Sequence, residues 1–216
     1  MDLRETNLGY FNFAAANTYP DNIAIIDLSR KENTKITHSK LSKRMSSAAL
    51  ILANAGVKPG DRMLLGMGNR LEFIEIFFGA MRAGVVPIPL NIKLGIKTID
   101  FIIKDSGCSA AIIDPYCNKN LVDVIKKNKL PTLISLNPSP RGWVNYEEAI
   151  ENFNEIEFNP ASAKHGQIAF LPYTSGSTGV PKGVLLTHEG MLWGIKNAQK
   201  YWPSKPTDRA LVAGPL

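Results

Sequence analysis

Leu171-Pro172-Tyr173-Thr174-Ser175-Gly176-Ser177-Thr178-Gly179-Val180-Pro181-Lys182-Gly183-Val184 is the most informative stretch of this 216-residue chain. Between Thr174 and Gly183 it gathers four hydroxyl side chains, three glycines and one lysine. Glycine lets the backbone enter φ > 0 and approach an anion, so that successive N–H groups converge on phosphate oxygens. The hydroxyls add neutral donors and Lys182 a compact positive charge. Pro181 restricts the chain beside that lysine. Residues 167–171 before the loop and the apolar Val184-Leu185-Leu186 after it read as strands. The layout is strand–loop–strand, with the composition of a polyphosphate cradle.

Two other phosphate loops fail on the residues. A Walker A loop needs G-x-x-x-x-G-K-[ST] followed by a helix. Counted from Gly176, its second glycine falls on Pro181, Lys182 is followed by Gly183, and the next residues are of β type. A dinucleotide fingerprint at Gly66-Met67-Gly68 lacks its third glycine, which Leu71 replaces. That segment reads as a strand-to-helix bend, with Asn69 as N-cap and Glu72 completing a capping box.

Tyr173 to Val184 resembles the signature loop of the AMP-forming acyl-CoA synthetase, adenylation-domain and luciferase superfamily at every position, and Thr187-His188-Glu189-Gly190 is similar to the T-H-x-x that follows it. The resemblance runs upstream in collinear order. Tyr19-Pro20-Asp21-Asn22-Ile23-Ala24 resembles the family's Y-P-D-x-x-A strand and Gly56-Val57-Lys58-Pro59-Gly60-Asp61 its G-x-x-x-G-D turn. Asn69, Glu72 and Phe73 resemble its N-x-x-E-F helix start, and the run from Gly84 to Pro89-Leu90-Asn91 its G-x-x-x-x-P-L-N strand.

What the resemblance implies is a two-step reaction. A carboxylate, a fatty acid in the closest branch, attacks the α-phosphate of Mg·ATP to give an acyl-adenylate and pyrophosphate; coenzyme A then displaces AMP as a thioester. Thr174, Ser175, Gly176, Ser177, Thr178 and Lys182 are expected to hold the departing pyrophosphate. Gly179 and Gly183 shape the loop, and Lys182 is the catalytic candidate. ATP, Mg2+ and coenzyme A are the implied cofactors of a full-length parent. No metal ligand is assigned in this chain, because the adenine and ribose motifs, the metal-binding Glu and the carboxy-terminal lysine follow residue 216 in the family pattern. The 216 residues alone are therefore expected not to turn over. Pro89-Leu90-Asn91 favours a stand-alone acyl-CoA synthetase over a peptide-synthetase module. Two alternatives stay open: a non-catalytic nucleotide-binding or interaction domain, and an acyl-AMP ligase that feeds a carrier protein. His188 is read as supportive, a first-turn helix residue satisfied by backbone, and His38 and His165 as surface or loop residues.

Composition sets outer bounds. Hydrophobic residues make up 44%, enough for a real core, and the net charge is +6. The basic residues are scattered (Lys40, Lys43, Arg44; Lys126, Lys127, Lys129), which argues for solvated helix faces and against nucleic acid. The charge still leaves room for peripheral contact with a membrane surface. Cys108 and Cys117 lack metal or redox spacing and read as free thiols. The amino terminus has no apolar signal core and residues 77–90 are interrupted by Arg82, Gly84 and two prolines, so a cytoplasmic location is expected.

Alternating patterns organise the chain. Strands are predicted at residues 23–28, 34–37, 62–65, 85–88, 110–113 and 132–135, the fourth irregular in its later half because of Pro87 and Pro89. Between them run helices marked by Leu41, Met45, Ala48, Ala49 and Leu52; by Leu71, Ile74, Phe78 and Met81; by Ile96, Ile99, Ile102 and Ile103, stopped at Gly107; and by Leu121, Val124 and Ile125. Such βα units predict an α/β fold with a mostly parallel sheet flanked by helices. Residues 1–150 form the βα-repeat part and 151–165 an exposed connection. Residues 166–216 hold the phosphate-loop hairpin, a helix capped by Thr187 and bearing Met191, Leu192, Ile195, Ala198 and Trp202, and a last strand from Ala210 onward. The whole reads as part of an amino-terminal domain without its carboxy-terminal lid, whose uncovered apolar surface favours self-association.

Overall fold

Met63, Leu64 and Leu65 are fully buried, yet they belong to two different cores. They lie on β3 (Arg62–Gly66), and because side chains alternate along a strand, Met63 and Leu65 serve one face of the sheet and Leu64 the other. The computed structural model describes residues 3–29, 34–118, 120–153, 156, 158–159, 163–175, 179–205, 207–212 and 214.

The chain starts with short helices α1 (Leu3–Thr6) and α2 (Phe13–Thr18) and an antiparallel hairpin of β1 (Ile23–Asp27) and β2 (Thr34–Thr37). Thr37 caps α3 (His38–Asn54), its hydroxyl accepting the Lys40 amide at 3.3 Å. After β3 come α4 (Leu71–Arg82), β4 (Val86–Pro89), α5 (Ile96–Ser106), β5 (Ala110–Ile113), α6 (Leu121–Lys127), β6 (Thr132–Ser135), β7 (Val144–Asn145) and α7 (Tyr146–Glu151). The five strands pair in parallel in the order β4-β3-β5-β6-β7. Passing from β3 to β4 and then back across β3 to β5 reverses direction. Right-handed crossovers therefore put α4 on one face and α5 and α6 on the other. The cores agree: α3, α4 and α7 supply Leu52, Ile76 and Tyr146 to one, and α5 and α6 supply Ile99, Ile102, Leu121 and Ile125 to the other.

The predicted α/β architecture is present, with β5 and β6 at the expected residues and Gly107, at φ +57°, ending α5 in the left-handed conformation. Four local expectations are corrected. Asn69 does not cap α4: Arg70 occupies that position without a side-chain bond, and Asp27 of β1 accepts the Leu71 amide at 3.0 Å. Asn69 instead donates to the Gly214 carbonyl at 2.6 Å, and Glu72 pairs with Arg70 at 2.8 Å. Second, β4 stays regular through both prolines. The Val86 and Leu90 amides bond back to Asp61 and Leu65, so Pro87 and Pro89, at alternate positions, turn their missing N–H away from β3.

Third, the described part of the 151–165 connection is partly packed down. Phe153 and Phe158 lie against the core, and the Ser47 hydroxyl donates to the Phe153 carbonyl at 3.1 Å. Fourth, residues 210–212 form no strand, and Leu211 and Val212 are exposed, while Ala213, Pro215 and Leu216 of that expected strand lie outside the described residues. The remaining elements are β8 (Ile168–Phe170), β9 (Tyr173–Thr174), β10 (Lys182–Gly183), β11 (Leu186–Thr187) and α8 (His188–Tyr201). No helix among the described residues is long and apolar enough to cross a membrane.

Candidate phosphate-binding hairpin

The strand–loop–strand reading holds as a two-tier antiparallel hairpin. At its base Leu186 and Thr187 of β11 pair with Phe170 and Ile168 of β8; at its neck Lys182 faces Thr174 and Gly183 faces Tyr173. Proline and apolar residues separate the tiers, bridged by the Val184 amide to the Pro172 carbonyl at 2.9 Å. The base docks on the parallel sheet, where the Leu171 amide donates to the outward-facing Pro87 carbonyl at 3.0 Å. The hairpin base therefore sits on the outer edge of β4.

The neck has its own anchor. Tyr173 is half-buried and its hydroxyl donates to Asp105 Oδ2 of α5 at 2.6 Å. Burial, then that carboxylate, pushes the phenol pKa up, so Tyr173 keeps its proton. Across the neck, a Cβ on Gly183 would stand 3.0 Å from Leu171 Cδ1 and 3.2 Å from Tyr173 Cζ. Glycine thus leaves the room that the Tyr173 ring fills.

Of the expected phosphate-contacting residues, Thr174, Ser175, Gly179, Lys182 and Gly183 are described, and all five are exposed. Gly176, Ser177 and Thr178 lie outside the described residues. Thr174 and Lys182 are brought face to face, with Thr174 Oγ1 reaching the Lys182 carbonyl at 3.5 Å, and Gly179 takes φ +78° at the turn. Of the runs read as strands, residues 167–171 are buried or half-buried and hold β8, whereas Val184 and Leu185 are exposed and lie between β10 and β11.

His188, expected as a supporting residue, is 2% exposed at the start of α8, and its Nδ1 accepts the Leu8 amide at 3.0 Å. Burial lowers its pKa to about 4, so the ring is neutral with the proton on Nε2. His38 lies in the first turn of α3 against Asn12, and exposed His165 pairs with Glu189 at 2.8 Å.

Sequence reasoning missed Asp105, which sits in a polar helix end with nothing to mark it. It also missed the brace of buried Glu75, held by Arg44 and by the Tyr146 hydroxyl at 3.1 Å, which ties α3, α4 and α7. Two clefts lie away from the hairpin. One of about 290 Å³ is lined by Tyr10, Phe13, Lys43 and Arg82, and one of about 280 Å³ by Gly68, Arg70, Asp114 and Cys117. Among the described residues no group of three or more His, Cys, Asp or Glu side chains is placed to hold a metal ion.

The pattern of the AMP-binding enzyme family matches residues 13–216. The chain belongs to this family. A feruloyl-CoA synthase from an Amycolatopsis species is 32% identical over 216 residues, covering 99% of this chain and 40% of the relative. A long-chain-fatty-acid–CoA ligase of Mycobacterium tuberculosis is 28% identical, covering 97% of this chain and 41% of the relative. Among solved structures, apo MatB from Rhodopseudomonas palustris superposes with a TM-score of 0.79 at 25% identity, over 94% of this chain and 38% of that one. The inhibitor-bound N-terminal domain of FACL13 from M. tuberculosis gives 0.73 at 27% identity, over 94% and 48%. The chain spans about 40% of the length of the curated relatives it matches.

Proposed function

We propose that this chain is the first part of the amino-terminal domain of an AMP-forming acid–thiol ligase, and that its hairpin grips the leaving end of ATP. The parent, a stand-alone ligase on the reading of Pro89-Leu90-Asn91, activates a carboxylic acid, a fatty acid by its family resemblance, to an acyl-adenylate and passes the acyl group to coenzyme A. Named relatives that act on feruloyl and on long-chain acyl groups support a carboxylic acid as the substrate class.

The observation that carries the reading is an exposed neck that sets Thr174 opposite Lys182 on a hairpin docked to the parallel sheet. This donor set suits a polyphosphate. Thr174, Ser175, Ser177 and Thr178 offer hydroxyls and Gly176 a backbone amide, while Lys182 balances charge. Gly179 and Gly183 let the chain turn and close. Attack at the α-phosphate builds negative charge on the departing pyrophosphate, and donors fixed beforehand steady it without reorganising. No residue of this chain is assigned to Mg2+ or to coenzyme A.

The test is acid-dependent ATP–pyrophosphate exchange by the ligase that carries this chain. Lys182→Ala is expected to lower the rate about 10²- to 10³-fold, the usual cost of one preorganised donor. Unchanged exchange would remove Lys182 from the reaction. The 216 residues alone are expected to give no steady AMP from ATP and acid, and sustained turnover by them would contradict the division of labour proposed.

A further inference from the structure

The neck of the hairpin is two residue pairs long. A two-stranded ribbon of that size holds no fixed orientation on its own. Three bonds fix it: Leu171 amide to Pro87 carbonyl at 3.0 Å, Val184 amide to Pro172 carbonyl at 2.9 Å, and Tyr173 hydroxyl to Asp105 at 2.6 Å. The first secures the base and the second joins the tiers. Only the third reaches the neck from another element. At 2.6 Å it has the length of a charge-assisted O–H···O⁻ bond, the stronger class. Its acceptor is rigidly mounted, because α5 is pinned to the sheet through Ile99, Ile102 and Ile103, each at most 3% exposed. Its donor is rigid as well. The Tyr173 ring packs against that same core and over Gly183, where a side chain would displace it.

We infer that Asp105 is a positioning residue for the phosphate loop: through Tyr173 it fixes the angle of the hairpin neck to the parallel sheet, and so the place where Thr174 and Lys182 meet the polyphosphate. It touches no substrate. The inference rests on the proposed function, since it assigns a structural partner to the same loop.

Displacing preorganised groups by about 1 Å can cost about 100-fold in rate, so Asp105→Ala in the ligase is expected to lower kcat/KM for ATP about 10- to 100-fold, with KM for the acid unchanged. Tyr173→Phe should match it, and the double variant should be no worse than either. Asp105→Asn keeps an acceptor oxygen and should recover most of the activity. In the 216-residue chain, hydrogen exchange of the Val184 amide should quicken in Asp105→Ala while the Leu65 and Ile112 amides of the sheet hold their protection. Additive losses, an Asn variant as impaired as the Ala variant, unchanged ATP kinetics, or exchange that rises equally across the sheet would each overturn the inference. Lys182→Ala serves as the separate control. If it is silent, the loop assignment fails. If it is impaired while Asp105→Ala is not, only the positioning role fails.

Discussion

His188 accepts the Leu8 amide through Nδ1, and a proton on that nitrogen would break the bond. Its pKa falls from an ordinary 6.5 to about 4 because burial disfavours the charged ring. The sign follows directly. Above pH 6.5 neither the folded nor the unfolded chain binds the proton, and the contribution is complete. Between 6.5 and about 4 only the unfolded chain takes it up, so stability drains away as the pH falls through that window. Urea unfolding at pH 7, 6 and 5 should show this slope in the native chain and lose it in His188→Asn. His188→Ala, which strands the Leu8 amide, should cost about 1–3 kcal/mol at pH 7. The residue's place in the first turn of a Thr-capped helix was legible, because Thr187 and His188 are neighbours in sequence. Its partner was not, since Leu8 stands 180 residues away. The loop shows the same limit: a contiguous run of hydroxyls and glycines announces its chemistry, whereas Asp105 lies 68 residues from Tyr173 and carries no local mark.

Helices α3 and α4 approach so closely that a Cβ on Gly79 would sit 2.6 Å from Ala48 Cβ and 2.7 Å from the Met45 carbonyl. Backbone cannot yield as a flexible side chain does. Gly79→Ala should therefore push the two helices apart and cost about 1–3 kcal/mol in chemical denaturation, despite alanine's better helix propensity. A stability gain would show that the contact is soft. Element boundaries were readable wherever local chemistry sets them: isoleucines at helical spacing and a left-handed Gly107 define α5, and buried β-type runs define β5 and β6. They were misread where a distant group decides. Asn69 and Glu72 have the form of a capping box, but the Asp27 carboxylate, 44 residues upstream, reaches the Leu71 amide first, which leaves Asn69 for the tail and Glu72 for Arg70. Pro87 and Pro89 suggested an irregular strand because sequence alone does not reveal which residues face the sheet.

Across the whole molecule, apolar surface gathers at the hairpin flank and around α8. Trp193, Tyr201, Trp202 and Leu211 are each at least 70% exposed, and Leu185 is exposed too. Of the apolar residues that the helix carries, Met191 and Leu192 pack against the core, whereas Ile195, Ala198 and Trp202 are solvent-facing. A periodic pattern shows which face is apolar, not what covers it. The isolated chain is expected to self-associate through this surface. Sedimentation velocity should show mass rising with concentration, and a Trp193→Glu/Trp202→Glu pair should keep it monomeric; a native chain that stays monomeric at high concentration would count against this. The sheet edge beneath the hairpin behaves differently. At β4 the two outward positions are both prolines, and one of their carbonyls is already taken by Leu171. A foreign strand arriving there meets no amide to recruit. This edge is thus guarded against cross-β growth by the chemistry of its border, and the hairpin that docks on it has no rival for its berth.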